Sequence, residues 1–289
     1  MSTTTVTATS VQSVTTQPDS SYIPRGPVSS TLSFYKAPED NSKPFNYVEA
    51  PPEGQPQRNF GAEGHEVELN DIRGRESDFN LDDDAFQTVP NISSEEKDFT
   101  DDEHIEKVYY PEVEKLLLEN VAGAHKVVFF DHTIRRSSPG AKRGPVNSVH
   151  VDQTAQSTAW RVRLHSPEDA DELLKGRYRI INVWRPLNGP VQASPLGFAS
   201  ARTVNDDDLI GVEHRYPHRT GETAQVRYNP GQKFYYWSGM ENDERLMLKC
   251  FDSEDGVGQR VPHTAFVDPR TPEGARGRES IEVRALVFG

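Results

Sequence analysis

The residues best suited to chemistry are His150 and Asp152, in the run Ser148-Val149-His150-Val151-Asp152. In an extended chain, residues i and i+2 project to the same face, so an imidazole and a carboxylate can converge on one metal ion. A third ligand from a distant strand would complete a two-histidine, one-carboxylate set. On non-haem Fe(II), such a set leaves coordination positions open for reactants. His263, far downstream in Pro262-His263-Thr264, is the candidate third ligand. His214 and His218 are its rivals, but Pro217 between them opposes the helix that would align an i, i+4 pair, so both are expected in a loop. The His-x-Asp spacing alone decides little, because nine histidines and 21 aspartates give about 0.65 such matches by chance. The same three residues would also suit zinc that activates water for hydrolysis. In a non-catalytic β-barrel binding protein, their spacing would be coincidental.

Such a set needs a rigid strand framework. Lys126 to Arg136 reads as a buried strand leading, through a Gly/Pro/basic loop to Asn147, into the metal motif. Downstream, residues 177–187, 222–229, 233–240, 244–253 and 279–288 read as strands separated by Gly, Pro, Asn and Asp clusters. Upstream, residues 30–35 and 65–74 alternate apolar and polar residues as strands do. One helix is expected over about 101–121, with Thr100 as N-cap and Glu103 in a capping-box position. Its Ile105, Val108, Tyr109, Val113, Leu116 and Leu117 share a face, Pro111 should kink it, and Gly123 suits its C-terminal stop. A second helix of about nine residues is expected from Ser166 and Pro167 to Gly176. Many short strands with two helices before them predict a mainly β fold with flanking helices, specifically a double-stranded β-helix, the jelly-roll or cupin-like barrel.

Composition narrows the function. The chain has 289 residues and a formal net charge of −13, which argues against nucleic acid as a partner. No apolar run is long enough to span a membrane, and the start MSTTTVTATS has no leader-like pattern. One cysteine, Cys250, rules out an internal disulfide framework and suits a reducing compartment, so a cytoplasmic location is expected. Ser and Thr fill 11 of the first 20 positions, so residues 1–28 are read as a disordered tail. Residues 29–289 are read as one domain with an extended N-terminal arm to about residue 60.

Arg278 lies 15 residues after His263. In the 2-oxoglutarate-dependent oxygenases, a basic residue at such a distance pairs with the far carboxylate of the co-substrate. Arginine suits that role because its planar fork binds a carboxylate bidentately. Ser280 shares its strand face, and Arg278-Glu279-Ser280 resembles the Arg-x-Ser motif of that superfamily. Arg276 and Arg284 have the same parity and could compete. The plain alternative for Arg284 is an internal ion pair with Glu282 or another carboxylate.

A narrower resemblance covers the chain from about residue 30 to its end. TLSFYKAPED (31–40), DIRGRESDFNLDDDAF (71–86), SVHVDQT (148–154), INVWRPL (181–187), YNPGQKFYYWSGM (228–240), LKCFDS (248–253), PHTAFVDP (262–269) and RESIEVRALVF (278–288) occur in that order. They resemble the fungal hydroxylase/desaturase family, grouped with gibberellin desaturase-like and cephem methoxylase-like proteins of secondary metabolism.

The resemblance implies an Fe(II)/2-oxoglutarate-dependent dioxygenase with O2 as second co-substrate, metal ligands His150, Asp152 and His263, and a small-molecule natural-product substrate. It leaves hydroxylation, desaturation and ring closure open, and a homodimer as well. Asn182, Trp184, Arg185 and Tyr236 are candidates for the substrate pocket, with core packing as the plain alternative. Residues 137–147 and 186–222 are candidate lids.

Overall fold

A computed structural model describes residues 21–137, 140–141 and 143–289. Its strands, in chain order, are β1 (Val28–Lys36), β2 (Phe45–Tyr47), β3 (Gly61–Asp71), β4 (Phe86–Val89), β5 (Lys126–Arg135), β6 (His150–Val151), β7 (Tyr178–Pro186), β8 (Leu196–Ala199), β9 (Leu209–Arg215), β10 (Thr220–Val226), β11 (Phe234–Tyr236), β12 (Arg245–Asp252), β13 (His263–Ala265) and β14 (Ser280–Phe288). They form a nine-stranded sheet in the order β1-β3-β11-β8-β13-β6-β10-β9-β2 and a five-stranded sheet in the order β4-β12-β7-β14-β5. Pairing is antiparallel except between β11 and β3 and between β2 and β9.

The two-residue period of the central strands decides which residues meet. On β14, Ile281, Val283, Ala285 and Val287 join Ile181 and Val183 of β7 on the outer face of the five-stranded sheet. There they pack against Ile105, Tyr109, Val113, Leu116 and Leu117, each burial worth about 1.5–3 kcal/mol before entropy. The alternate residues point inward. Trp184, Leu246 and Leu248 meet Leu196 and Phe198 of the nine-stranded sheet, and Ile180, Cys250 and Leu286 meet Val151 and Ala224. The sheets therefore face each other as a curled jelly-roll barrel, with the helix outside, as the strand spacing predicts.

Several elements differ from the sequence reading. The helical segment begins at Asp102 with Asp101, not Thr100, as its cap: the Asp101 carboxylate accepts from the Glu103 amide. Pro111 is accommodated by a π-helical stretch, Ile105–Tyr109, leading into the helix Tyr110–Asn120. Proline has no amide to donate to the preceding turn, and widening that turn absorbs the defect.

A helix at Ala155–His165 was not foreseen; Thr154 and Ser157 form its capping box, but only Ser157, Thr158 and Val162 are buried along it. Ser166, expected to start a helix, instead ends this one, and only the short Ala170–Leu173 follows. The candidate lid 186–222 contains β8 and β9, which places His214 on a strand, and β4 and β13 were also unforeseen. Of the tail read over residues 1–28, residues 1–20 lie outside the described residues; at its end the Gly26 amide donates to Asp71. No helix among the described residues is long and apolar enough to cross a membrane.

Candidate metal centre

β6 and β13 are adjacent strands, and His150 and His263 are direct cross-strand partners. Their rings lie 4.5 Å apart between centroids. Asp152 follows as the chain leaves β6, with Oδ1 3.5 Å from His150 Nε2. One ligand atom from each of His150, Asp152 and His263 lies within 4.8 Å of the others, and this is the group of potential metal ligands found among the described residues. The sequence-derived trio thus converges.

The imidazoles are oriented by backbone. His150 Nδ1 donates to the Ser148 carbonyl at 2.8 Å, and His263 Nδ1 to the Val261 carbonyl at 3.1 Å. This fixes the tautomer and turns each Nε2 lone pair toward the centre. Burial foremost, with the charge of His150, pushes His263 down to about 4, so its ring is neutral as a metal ligand must be. Burial also opposes charge on His150, but hydrogen bonding and attraction from Asp152 raise its pKa above the ordinary value.

For Asp152, burial is the largest influence and favours the neutral form, yet Arg284 and the two histidines hold the carboxyl well below the usual range. Its second oxygen, Oδ2, faces Asn182 Nδ2 at 3.4 Å, Arg284 Nη1 at 3.6 Å and Cys250 Sγ at 3.8 Å. One oxygen therefore faces the metal position while the other is held by protein donors. The donor set fits a divalent ion with open positions.

A small cavity of about 20 Å³ is lined by His150, His263 and Arg278, together with Trp184, Thr264, Arg135 and Glu282. Arg278 is only 3% exposed. Its Nη1 donates to the Ser194 carbonyl at 2.7 Å, its guanidinium sits 5.3 Å from the Trp184 ring centre, and its buried Nε has no partner. Burial foremost lowers it to about 10, an effect that Glu282 opposes and Arg135 reinforces. A buried cation with an unused donor is costly alone, and an anionic ligand would satisfy it.

The competing arginines are committed elsewhere. Arg276 donates to the carbonyls of Asn188 and Gly189, outside the cavity. Arg284 donates to Asp131 at 2.7 Å and to Thr133 at 3.3 Å, besides facing Asp152. Its ion pair is with other carboxylates, while Glu282 pairs with Arg135. Ser280 is buried beside Arg278, opposite Arg135 and Pro186, and it is Thr264 that lines the cavity.

Of the candidate pocket residues, Trp184 lines the cavity and Asn182 supports Asp152. Arg185 has the opposite strand parity, and its guanidinium lies over Phe99 at 4.9 Å in the outer layer under the helix. Tyr236 likewise faces away. It packs on Phe266, and its hydroxyl bonds Gly26 and Arg270, whereas Tyr235 pairs across to Phe198 on the inward face. Both displacements are a one-residue matter of strand parity.

The reading placed none of Arg135, Glu282 and Thr264 in the cavity with Arg278. Glu282 could have been placed by its parity with Arg278; Arg135 could not, since its position depends on the register of β5 against β14.

A family profile described as "Oxidoreductase/YMDC permease-like domain" matches residues 32–288. Hydroxylase/desaturase poxK of Penicillium oxalicum is 36% identical, with 92% of each chain covered. Fe(II)/2-oxoglutarate-dependent dioxygenase nvfI of Aspergillus novofumigatus is 34% identical over 90% of this chain and 96% of its own. The solved structure of the iron and alpha-ketoglutarate-dependent endoperoxidase NvfI superposes with a TM-score of 0.83 at 34% identity, covering 92% of this chain and 99% of that one. These relatives decide against the zinc-hydrolase and non-catalytic readings. The chain belongs to the fungal hydroxylase/desaturase family of non-haem Fe(II)/2-oxoglutarate-dependent oxygenases and acts with Fe(II), 2-oxoglutarate and O2 on a small-molecule substrate.

Proposed function

We propose that His150 and His263, through Nε2, and Asp152, through Oδ1, hold Fe(II), and that Arg278 receives the far carboxylate of 2-oxoglutarate. The observation that carries this reading is the buried Arg278, whose Nε has no partner, in the same cavity as both histidines. With O2, the bound iron and co-substrate supply the oxidising chemistry: 2-oxoglutarate loses CO2 to become succinate, and a substrate C–H bond is broken.

The chain supplies position. Its imidazoles, fixed by backbone carbonyls, would present Nε2 to a bound metal, and Trp184 forms an apolar wall against the Arg278 guanidinium. That wall keeps water from competing for the cation. The substrate is a small natural-product intermediate, and the outcome is hydroxylation, desaturation or oxidative ring closure, in keeping with the hydroxylase/desaturase and endoperoxidase names of the relatives. The enzyme works in the cytoplasm, where its one buried cysteine stays reduced.

The test is 2-oxoglutarate consumption and succinate release by the iron-loaded protein, screened against candidate metabolites. Turnover that needs iron and disappears in His150→Ala supports the assignment. Turnover that is indifferent to His150, or succinate formation that is unaffected by Arg278→Ala, overturns the residue roles.

A further inference from the structure

The cavity assigned to the co-substrate contains an acid. Glu282 is buried on β14, two residues from Ser280 on the same inward face, and lines the cavity together with Arg278. A carboxylate beside a buried, under-bonded guanidinium would ordinarily pair with it. It does not do so here. Glu282 Oε1 accepts from Arg135 Nη2 at 2.8 Å and Oε2 faces Arg135 Nε at 3.5 Å, so the fork of Arg135 engages both oxygens. Arg135 reaches it diagonally from the neighbouring strand, where its Cα partner is Ser280 and that of Glu282 is Thr133. Its remaining nitrogen, Nη1, donates to the Gly144 carbonyl at 3.1 Å, which anchors it from the far side.

We propose that Arg135 sequesters Glu282, keeping Arg278 unpaired and open to the far carboxylate of the co-substrate, so that Arg135 is a positioning residue for 2-oxoglutarate binding. The inference rests on the co-substrate role of Arg278. With Arg135 in place, two guanidiniums face one carboxylate, and the cavity keeps one uncompensated positive charge for an anion. With Arg135 removed, Glu282 is freed to close on Arg278, consuming the fork and placing a like charge where the ligand must sit. Glu282 is then an internal competitor of 2-oxoglutarate. Its neutral isostere would not be.

The test is calorimetric titration of 2-oxoglutarate into anaerobic, Fe(II)-loaded protein, with Fe(II) affinity and melting temperature measured alongside. Arg135→Ala should weaken 2-oxoglutarate binding by about tenfold or more with Fe(II) affinity unchanged. Adding Glu282→Gln should restore binding to within about threefold of Glu282→Gln alone. Rescue by the second substitution is not expected of an arginine that only props up β5. If Arg135→Ala does not fold, Arg135→Gln is measured instead with the same expectations. Unchanged binding in the Arg135 variant overturns the proposal, as does a double variant no better than the single. Arg278→Ala is the separate control: if it binds 2-oxoglutarate like the wild type, the co-substrate role of Arg278 falls first, whatever the Arg135 variants do.

Discussion

Arg278 and Arg284 lie six residues apart, the first just before β14 and the second within it, both directed inward, yet their surroundings are opposite. Arg284, at the metal end, is saturated: Asp131, Thr133 and Asp152 take its donors, and although burial opposes its charge, the three nearby carboxylates, Asp152 first, raise its pKa. Arg278, at the far end, has one backbone carbonyl, an aromatic ring and an orphaned Nε. A buried charge that has its partners holds something in place, whereas one without them is built to receive something. The contrast supports the proposed division, in which Arg284 positions Asp152 and Arg278 receives the co-substrate.

The predictions probe that division. Removing a ligand should do most: His150→Ala or His263→Ala should lower Fe(II) affinity by more than about 100-fold while leaving a folded protein, as read by anaerobic metal titration. Next, Arg278→Ala should weaken 2-oxoglutarate binding by about 30- to 1,000-fold with little change in iron affinity. Arg284→Met should show the reverse pattern, with Fe(II) affinity down about tenfold and 2-oxoglutarate affinity at saturating iron nearly unchanged. If both variants altered the same ligand equally, the division between the two ends would be wrong.

A smaller effect comes from protons. Because Asp152 raises the pKa of His150 against the opposing pull of burial, a proton must leave that ring before the metal enters. Apparent Fe(II) affinity should therefore rise with pH, by at most tenfold per pH unit for the one proton, and level off only above the raised pKa of His150. A flat profile would mean that His150 is already neutral in the free protein. Outside the cavity altogether, Leu117→Ala should cost about 2–5 kcal/mol of stability by leaving a void under the helix, with metal affinity in the folded fraction unchanged.

The metal trio was legible because its signal is local and chemical. His150 and Asp152 are two residues apart, and His263 stands out from its rivals His214 and His218 because Pro217 lies between those two and because PHTAFVDP is among the family phrases. The strands that carry Ile181, Val183, Ile281 and Val283 were legible because their apolar residues alternate. Register was not legible. Which of Arg278 and Arg284 is left with an unused donor depends on Asp131 arriving opposite Arg284 after a bulge in the β5 pairing, a tertiary fact with no local trace. Arg185 was misplaced for the related reason that β7 is buried on both faces, so alternation does not say which face is inward. Helix Ala155–His165 escaped because few of its residues are buried and its apolar periodicity is correspondingly faint.

The most direct test is anaerobic addition of Fe(II) and then 2-oxoglutarate to the purified protein, followed by visible absorption. Chelation of the iron by the co-substrate should give a weak charge-transfer band, lost in His150→Ala and displaced to much higher 2-oxoglutarate concentration in Arg278→Ala. Folded, iron-loaded protein that develops no band, or a band whose concentration dependence ignores Arg278, would contradict the assignment of the two ends of the cavity.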